Sequence, residues 1–124
     1  MKYLVLGGNG FIGSHVVDEL IARNEDVTSF GLGKGVSDSH QNIHIDGNFL
    51  DTSLLEKVIS GKDVVIHSLS TTVPLSASEN PVWDIESNLV GTVKLVEIMA
   101  SSRVKKLVYL SSGGTVYGLS LIHI

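Results

Sequence analysis

Apolar residues fall alternately into short unbroken runs and into longer stretches where they recur every three or four positions. Lys2–Leu6 reads as β1, with the unbroken apolar character of a buried parallel strand. From Phe11 to about Arg23, Ile12, Val16 and Leu20, with Val17 and Ile21, fall on one face of a helix that Asn24 stops. Val27–Phe30 reads as β2, Gly31–Asn42 as a polar, glycine-rich loop and Ile43–Ile45 as a short β3. Ser53-Leu-Leu-Glu56 has the spacing of a capping box and opens a helix carrying Leu54, Leu55, Val58 and Ile59. Asp63–Ser68 is β4. Asn80-Pro81 sets an N-cap before a proline at the first helical position, and the helix it opens runs to about Ala100 with Ile85, Leu89, Val93 and Val96 inward. Lys106–Leu110 is β5.

Strand alternating with helix implies an α/β fold: a doubly wound parallel sheet with right-handed crossovers and helices on both faces. Such sheets bind ligands outside the carboxyl ends of their strands. The polar clusters Gly7–Gly13, Asn48, Ser68–Thr72 and Ser111–Thr115 all fall at such ends. The first is the most specific. Gly7-Gly-Asn-Gly10-Phe-Ile-Gly13 joins β1 directly to a helix, with glycines at G-x-x-G-x-x-G spacing. Gly7 can take the turn off the strand, Gly10 has no Cβ to block a pyrophosphate, and Gly13 lets the helix pack closely on the sheet. The helix N-terminus then offers free N–H groups and a positive dipole end to the anion. Thirteen glycines produce some such spacings by chance. The strand before this one and the helix after it are what make it a dinucleotide-binding loop.

Composition narrows the field. The 124 residues are 43% hydrophobic and 18% charged, which suits one globular domain or part of one. A net charge of −4 argues against nucleic acid as a partner. The absence of cysteine rules out disulfides and thiolate metal sites. No apolar run is long enough to span a bilayer, and Tyr3–Leu6 is too short for a secretory h-region, so a cytoplasmic enzyme with no membrane partner is the expectation. His15, His40 and His44 have no metal-ligand spacing and are expected at the surface. His67 is expected in the core and Trp83 as a packing residue near a helix start.

Together, Gly7–Gly13, Asp63-Val-Val-Ile-His67, Asn88-Leu-Val-Gly-Thr92 and Ser111-Ser-Gly-Gly-Thr-Val-Tyr-Gly118 resemble the extended short-chain dehydrogenase/reductase family, in its NAD-dependent epimerase/dehydratase branch. The resemblance covers residues 1–118 and is nearest to UDP-glucose 4-epimerase-like proteins. It implies a Rossmann-type sheet truncated after about its fifth strand, with residues 1–118 the N-terminal part of an NAD(P)-binding domain. It implies that Gly7, Gly10, Phe11, Ile12 and Gly13 hold the NAD pyrophosphate and that Asn48 and Phe49 touch adenine. Ser68, Leu69 and Ser70 would wall the cofactor, Asn88 would bond near it, and Ser111 would border nicotinamide. Asn48 also reads simply as the cap of a turn. A nucleotide-sugar substrate and a homodimer of the full-length protein are implied as well.

The chain departs from the family pattern in five respects. No carboxylate ends β2, where Phe30 is followed by Gly31-Leu-Gly33-Lys34, so NADP stays open beside NAD. Asn48 replaces an aspartate. The family's catalytic Ser/Thr position falls on Gly113, leaving Ser112 and Thr115 as substitutes. No Tyr-x-x-x-Lys pair follows Ser111, so the general base is missing and the 124 residues alone are expected to be inactive. Leu119-Ser-Leu-Ile-His-Ile124 fits no family pattern. It back-translates to CTG TCT CTT ATA CAC ATC, the look of a transposon end used in library preparation, so residues 119–124 are read as a non-native tail. A natural apolar strand end is the alternative.

These features favour a nucleotide-sugar epimerase. The alternatives are a dehydratase or reductase of the same branch and a non-catalytic dinucleotide-binding module. Dehydratases often carry Thr-Asp-Glu where this chain has Gly113-Gly-Thr115, which leans the reading toward epimerase.

Overall fold

The computed structural model describes residues 1–112. Gly113, Thr115, Tyr117 and the tail 119–124 lie outside the described residues. Five parallel strands form one sheet in the order β3-β2-β1-β4-β5. These are β1 (Lys2–Leu6), β2 (Asp26–Gly31), β3 (His44–Asp46), β4 (Val64–His67) and β5 (Lys106–Tyr109). The chain therefore winds outward from β1 in both directions, and a crevice opens where the direction reverses, between β1 and β4.

Alternation along β1 divides the core in two. Leu4 and Leu6 join Phe30, Val65, Leu55, Val58, Ile59 and Leu95 on one face. Val5 joins Val27, Val17 and Leu20 on the other. Helix α1 (Phe11–Ala22) covers the second face; α3 (Thr52–Ile59) and α6 (Gly91–Ala100) cover the first.

Several expectations need correction. Strand β2 extends one residue beyond each end of the expected span, and β3 is shifted one residue along the chain. The expected inward face of α1 is rotated: Gly13, Ser14, Val17 and Leu20 are buried, while Ile12 and Ile21 are exposed. The cause is the close approach at Gly13, where a Cβ would overlap the carbonyl oxygen of Gly7, so the small residues must face the sheet. Helix α3 is capped by Asp51, whose carboxylate accepts from the Leu54 N–H at 3.1 Å, not by the Ser53–Glu56 box. The loop 31–42 contains α2 (Asp38–Gln41), and a further short helix, α4 (Pro74–Glu79), lies between β4 and Asn80. His40 is buried, not on the surface: α2 folds it inward, where its Nε2 lies 2.7 Å from Asp18.

Asn80 caps as expected. Its side chain accepts from the Trp83 N–H at 3.1 Å, with Pro81 at the start of α5 (Pro81–Asp84). A π-helical turn (Ile85–Val90) joins α5 to α6. The expected inner face is not the buried one: Ile85, Leu89, Val93 and Val96 are 51%, 60%, 52% and 47% exposed. Ser87, Gly91 and Leu95 face inward instead. Gly91 sets this rotation, since a Cβ there would stand 2.9 Å from the Phe49 ring.

Candidate cofactor-binding site

At the carboxyl edge of the sheet the β1 turn is built from glycine for two physical reasons. Gly7 has φ +80°, and a Cβ there would lie 3.0 Å from the backbone of Leu69. Its N–H donates to the Phe30 carbonyl at 2.8 Å, while its carbonyl accepts from Gly10 N–H at 2.9 Å. The first helical bond then runs from the Ser14 N–H to the Gly10 carbonyl. The N–H groups of Phe11, Ile12 and Gly13 consequently have no carbonyl one turn back within the helix, as at any helix start.

A groove of about 430 Å³ runs along this edge. Gly7, Asn9 and Gly10 form its floor at β1, Gly31 and Leu32 its β2 end, and Asn48 and Leu50 its β3 end. Ser68, Leu69, Ser70 and Thr71 wall the β4 side, with Trp83 above. The structure thus brings Gly7, Gly10, Asn48, Ser68, Leu69 and Ser70 together. Gly13 lies behind Gly7 as a packing contact. The Phe11 and Ile12 side chains turn away into a second hollow beside Tyr3 and His15, so only their backbone faces an anion. Phe49 is buried and packs its ring against His67 at 5.1 Å between centroids, so its side chain does not line the groove. Ser111 and Ser112 follow β5 and are exposed.

Several of these side chains are already committed within the protein. Asn48 Oδ1 accepts from the Leu50 N–H at 2.9 Å, so it does cap a turn, at the groove's edge. Ser68 donates to the Leu6 carbonyl at 2.8 Å, and Ser70 to the Thr72 carbonyl at 2.9 Å. Asn88, placed by the π turn, accepts from the Thr71 N–H at 3.1 Å and donates to Thr72 and Asp84 at 2.8 and 2.9 Å. Thr71 and Thr72 also bond to Ser87 and Asp84. Asn88 therefore clamps the groove wall and does not point into it, a role legible only once the extra residue of the π turn is known.

His67 lies beneath this clamp, 3% exposed, and burial pushes its pKa down to about 4. It is neutral near pH 7. Its Nδ1 accepts from the Leu69 N–H at 3.3 Å, which leaves the proton on Nε2, 3.3 Å from Thr92 Oγ1. The Thr92 hydroxyl in turn donates to the Asn88 carbonyl at 2.6 Å. This is a structural core histidine tying β4 to the helix.

The β2 end differs from a carboxylate-bearing ribose site. A Cβ at Gly31 would overlap Asn9 Oδ1, so the Asn9 side chain occupies that space. Asn9 Nδ2 donates to the carbonyls of Leu32 and Lys34 at 2.6 and 3.3 Å. The Gly33 N–H is held by Asp46 at 2.8 Å.

The sequence profile of the NAD dependent epimerase/dehydratase family matches residues 3–122. The chain belongs to this family. A UDP-glucose 4-epimerase of Mycolicibacterium smegmatis is 35% identical over an alignment of 129 positions, gaps included, that covers 95% of this chain and 41% of that protein. The solved UDP-glucose 4-epimerase of Thermotoga maritima, with UDP-glucose, superposes with a TM-score of 0.83 at 30% identity, covering 98% of this chain and 41% of that one. That of Bifidobacterium longum, in complex with NAD+ and UDP, gives 0.81 at 30% identity over 98% and 40%. The chain of this family member thus spans about two fifths of its relatives' length. No helix among the described residues is long and apolar enough to cross a membrane.

Proposed function

We propose that the full-length protein is a cytoplasmic NAD-dependent epimerase acting at C4 of a UDP-hexose. The observation that carries this reading is the glycine-floored groove at the β1/β4 crossing, in a chain similar to UDP-glucose 4-epimerases along nearly its whole length. The groove fits the cofactor: Gly7 and Gly10 line its floor without side chains, and the N–H groups at the start of α1 suit a pyrophosphate. Bound NAD would supply a hydride acceptor that later returns the hydride.

This chain's residues would do the positioning. Gly7, Gly10 and the backbone of Phe11, Ile12 and Gly13 hold the pyrophosphate. Asn48 borders the adenine, and the clamped wall Ser68–Ser70 excludes water from the cofactor's flank. Ser111 borders the nicotinamide, and the Ser112 and Thr115 hydroxyls bond the sugar hydroxyl that loses its proton. The base that takes that proton belongs to a Tyr-x-x-x-Lys pair that the 124 residues do not contain. We also read Ile85, Leu89, Val93 and Val96 as the face on which a second copy docks, because they form one exposed apolar stripe along π turn and α6. The test is conversion of UDP-galactose to UDP-glucose by the full-length protein. If neither sugar nucleotide is converted while NAD binds, the reading passes to a dehydratase or reductase of the same family.

A further inference from the structure

We infer that Trp83 is the adenine platform of the dinucleotide groove, a role that rests on the cofactor reading above. The residue is 43% exposed although its backbone is pinned at both ends. The N–H donates to Asn80 at 3.1 Å, and the carbonyl accepts from Ser87 at 2.6 Å. Ser87 is fully buried and bonds in turn to Thr71 of the groove wall. An aromatic side chain held on a fixed backbone at the mouth of a groove is pre-organised to stack on a flat ligand.

Its neighbours say which half of the dinucleotide it meets. Trp83 borders the main groove and also a hollow of about 280 Å³, and Leu50 lines both. The other walls of that hollow include Phe49, Thr52 and Leu55, all from the segment after β3. In the order β3-β2-β1-β4-β5, a pyrophosphate over β1 leaves one nucleoside over β2 and β3 and the other over β4 and β5. The adenosine half takes the β2 and β3 side in this sheet type. Trp83 and Leu50 therefore present an aromatic and an aliphatic surface where a flat purine lies, while Asn48 stands at the same end of the groove. Adenine has two apolar faces and stacks on aromatic rings without needing a charged partner.

The readout is binding, independent of turnover. In the full-length protein, ADP-ribose binding is measured by calorimetry for wild type, Trp83→Phe and Trp83→Ala. Indole emission is followed in parallel, with the difference between wild type and Trp83→Phe isolating this residue. Trp83→Ala should weaken ADP-ribose about tenfold and Trp83→Phe only slightly. ADP-ribose and AMP should quench the Trp83 emission, and nicotinamide mononucleotide should leave it unchanged. Calorimetric binding of ADP-ribose to wild type with no change in that emission overturns the assignment, whether or not Trp83→Ala folds. Unchanged affinity in a folded Trp83→Ala does the same. Failure of wild type to bind either ADP-ribose or NAD is a different result, and it removes the cofactor reading itself.

Discussion

At the scale of single residues, close approach decides what each position tolerates. Gly13→Ala would drive a methyl into the Gly7 carbonyl oxygen, a backbone atom that cannot move without distorting the turn. It is expected to cost roughly 2–3 kcal/mol in denaturant unfolding and to abolish dinucleotide binding in the same preparation. Gly31 presents the opposite case, because its obstruction is the Asn9 side chain. Gly31→Asp alone should weaken NAD binding. Paired with Asn9→Gly, the carboxylate gains room to accept from the ribose hydroxyls and to repel a 2′-phosphate, so NAD should bind several-fold more tightly than NADP by titration. His67 sets a pH dependence. Its pKa falls from 6.5 to about 4 on folding, so the unfolded chain takes up the proton first. The stability this group contributes is complete above pH 6.5, declines as pH falls toward 4, and changes no further below that. The loss amounts to roughly 3 kcal/mol, and His67→Gln should flatten that slope in denaturation curves taken across the window.

At the scale of elements, the helix from Pro81 to Ala100 shows what periodicity can and cannot deliver. Asn80 and Pro81 made its start legible, because a cap and a proline at the first turn act locally. Its inner face was not legible. The apolar positions Ile85, Leu89, Val93 and Val96 follow a helical period, yet the structure buries Ser87, Gly91 and Leu95. Periodicity reports a stripe that wants cover, and it does not say whether the sheet or another molecule provides it. The same holds at α1, where Gly13 and Ser14 displaced Ile12 from the interface. Two outcomes follow from the exposed stripe. Leu89→Glu with Val93→Glu should convert a dimer to a monomer in size-exclusion chromatography of the full-length protein. Dinucleotide affinity should stay within about twofold, since neither side chain borders the groove.

At the scale of the molecule, the glycine loop, the five strands and the groove's floor were readable because each depends on short-range pattern: an apolar run, a turn glycine, a helix start. The groove's walls were not, because Asn88, Asp84 and Ser87 reach across 12 to 17 residues to Thr71 and Thr72. No local signal marks such a clamp. The edge of the sheet carries the last expectation. A parallel sheet of this kind is stable only with both faces covered. On β5 and just beyond it, Val108, Tyr109 and Leu110 are 39%, 54% and 42% exposed. Apolar side chains on an uncovered edge strand favour association with other chains over a compact monomer. The 124 residues expressed by themselves should therefore melt over a broad range, gain no thermal stability from NAD and leave UDP-galactose unconverted. The full-length protein should show a sharp transition that NAD raises. A sharp, NAD-stabilised transition in the 124-residue chain would show that β1 to β5 suffice as a folding unit, and that the exposure at β5 is tolerated without a further layer.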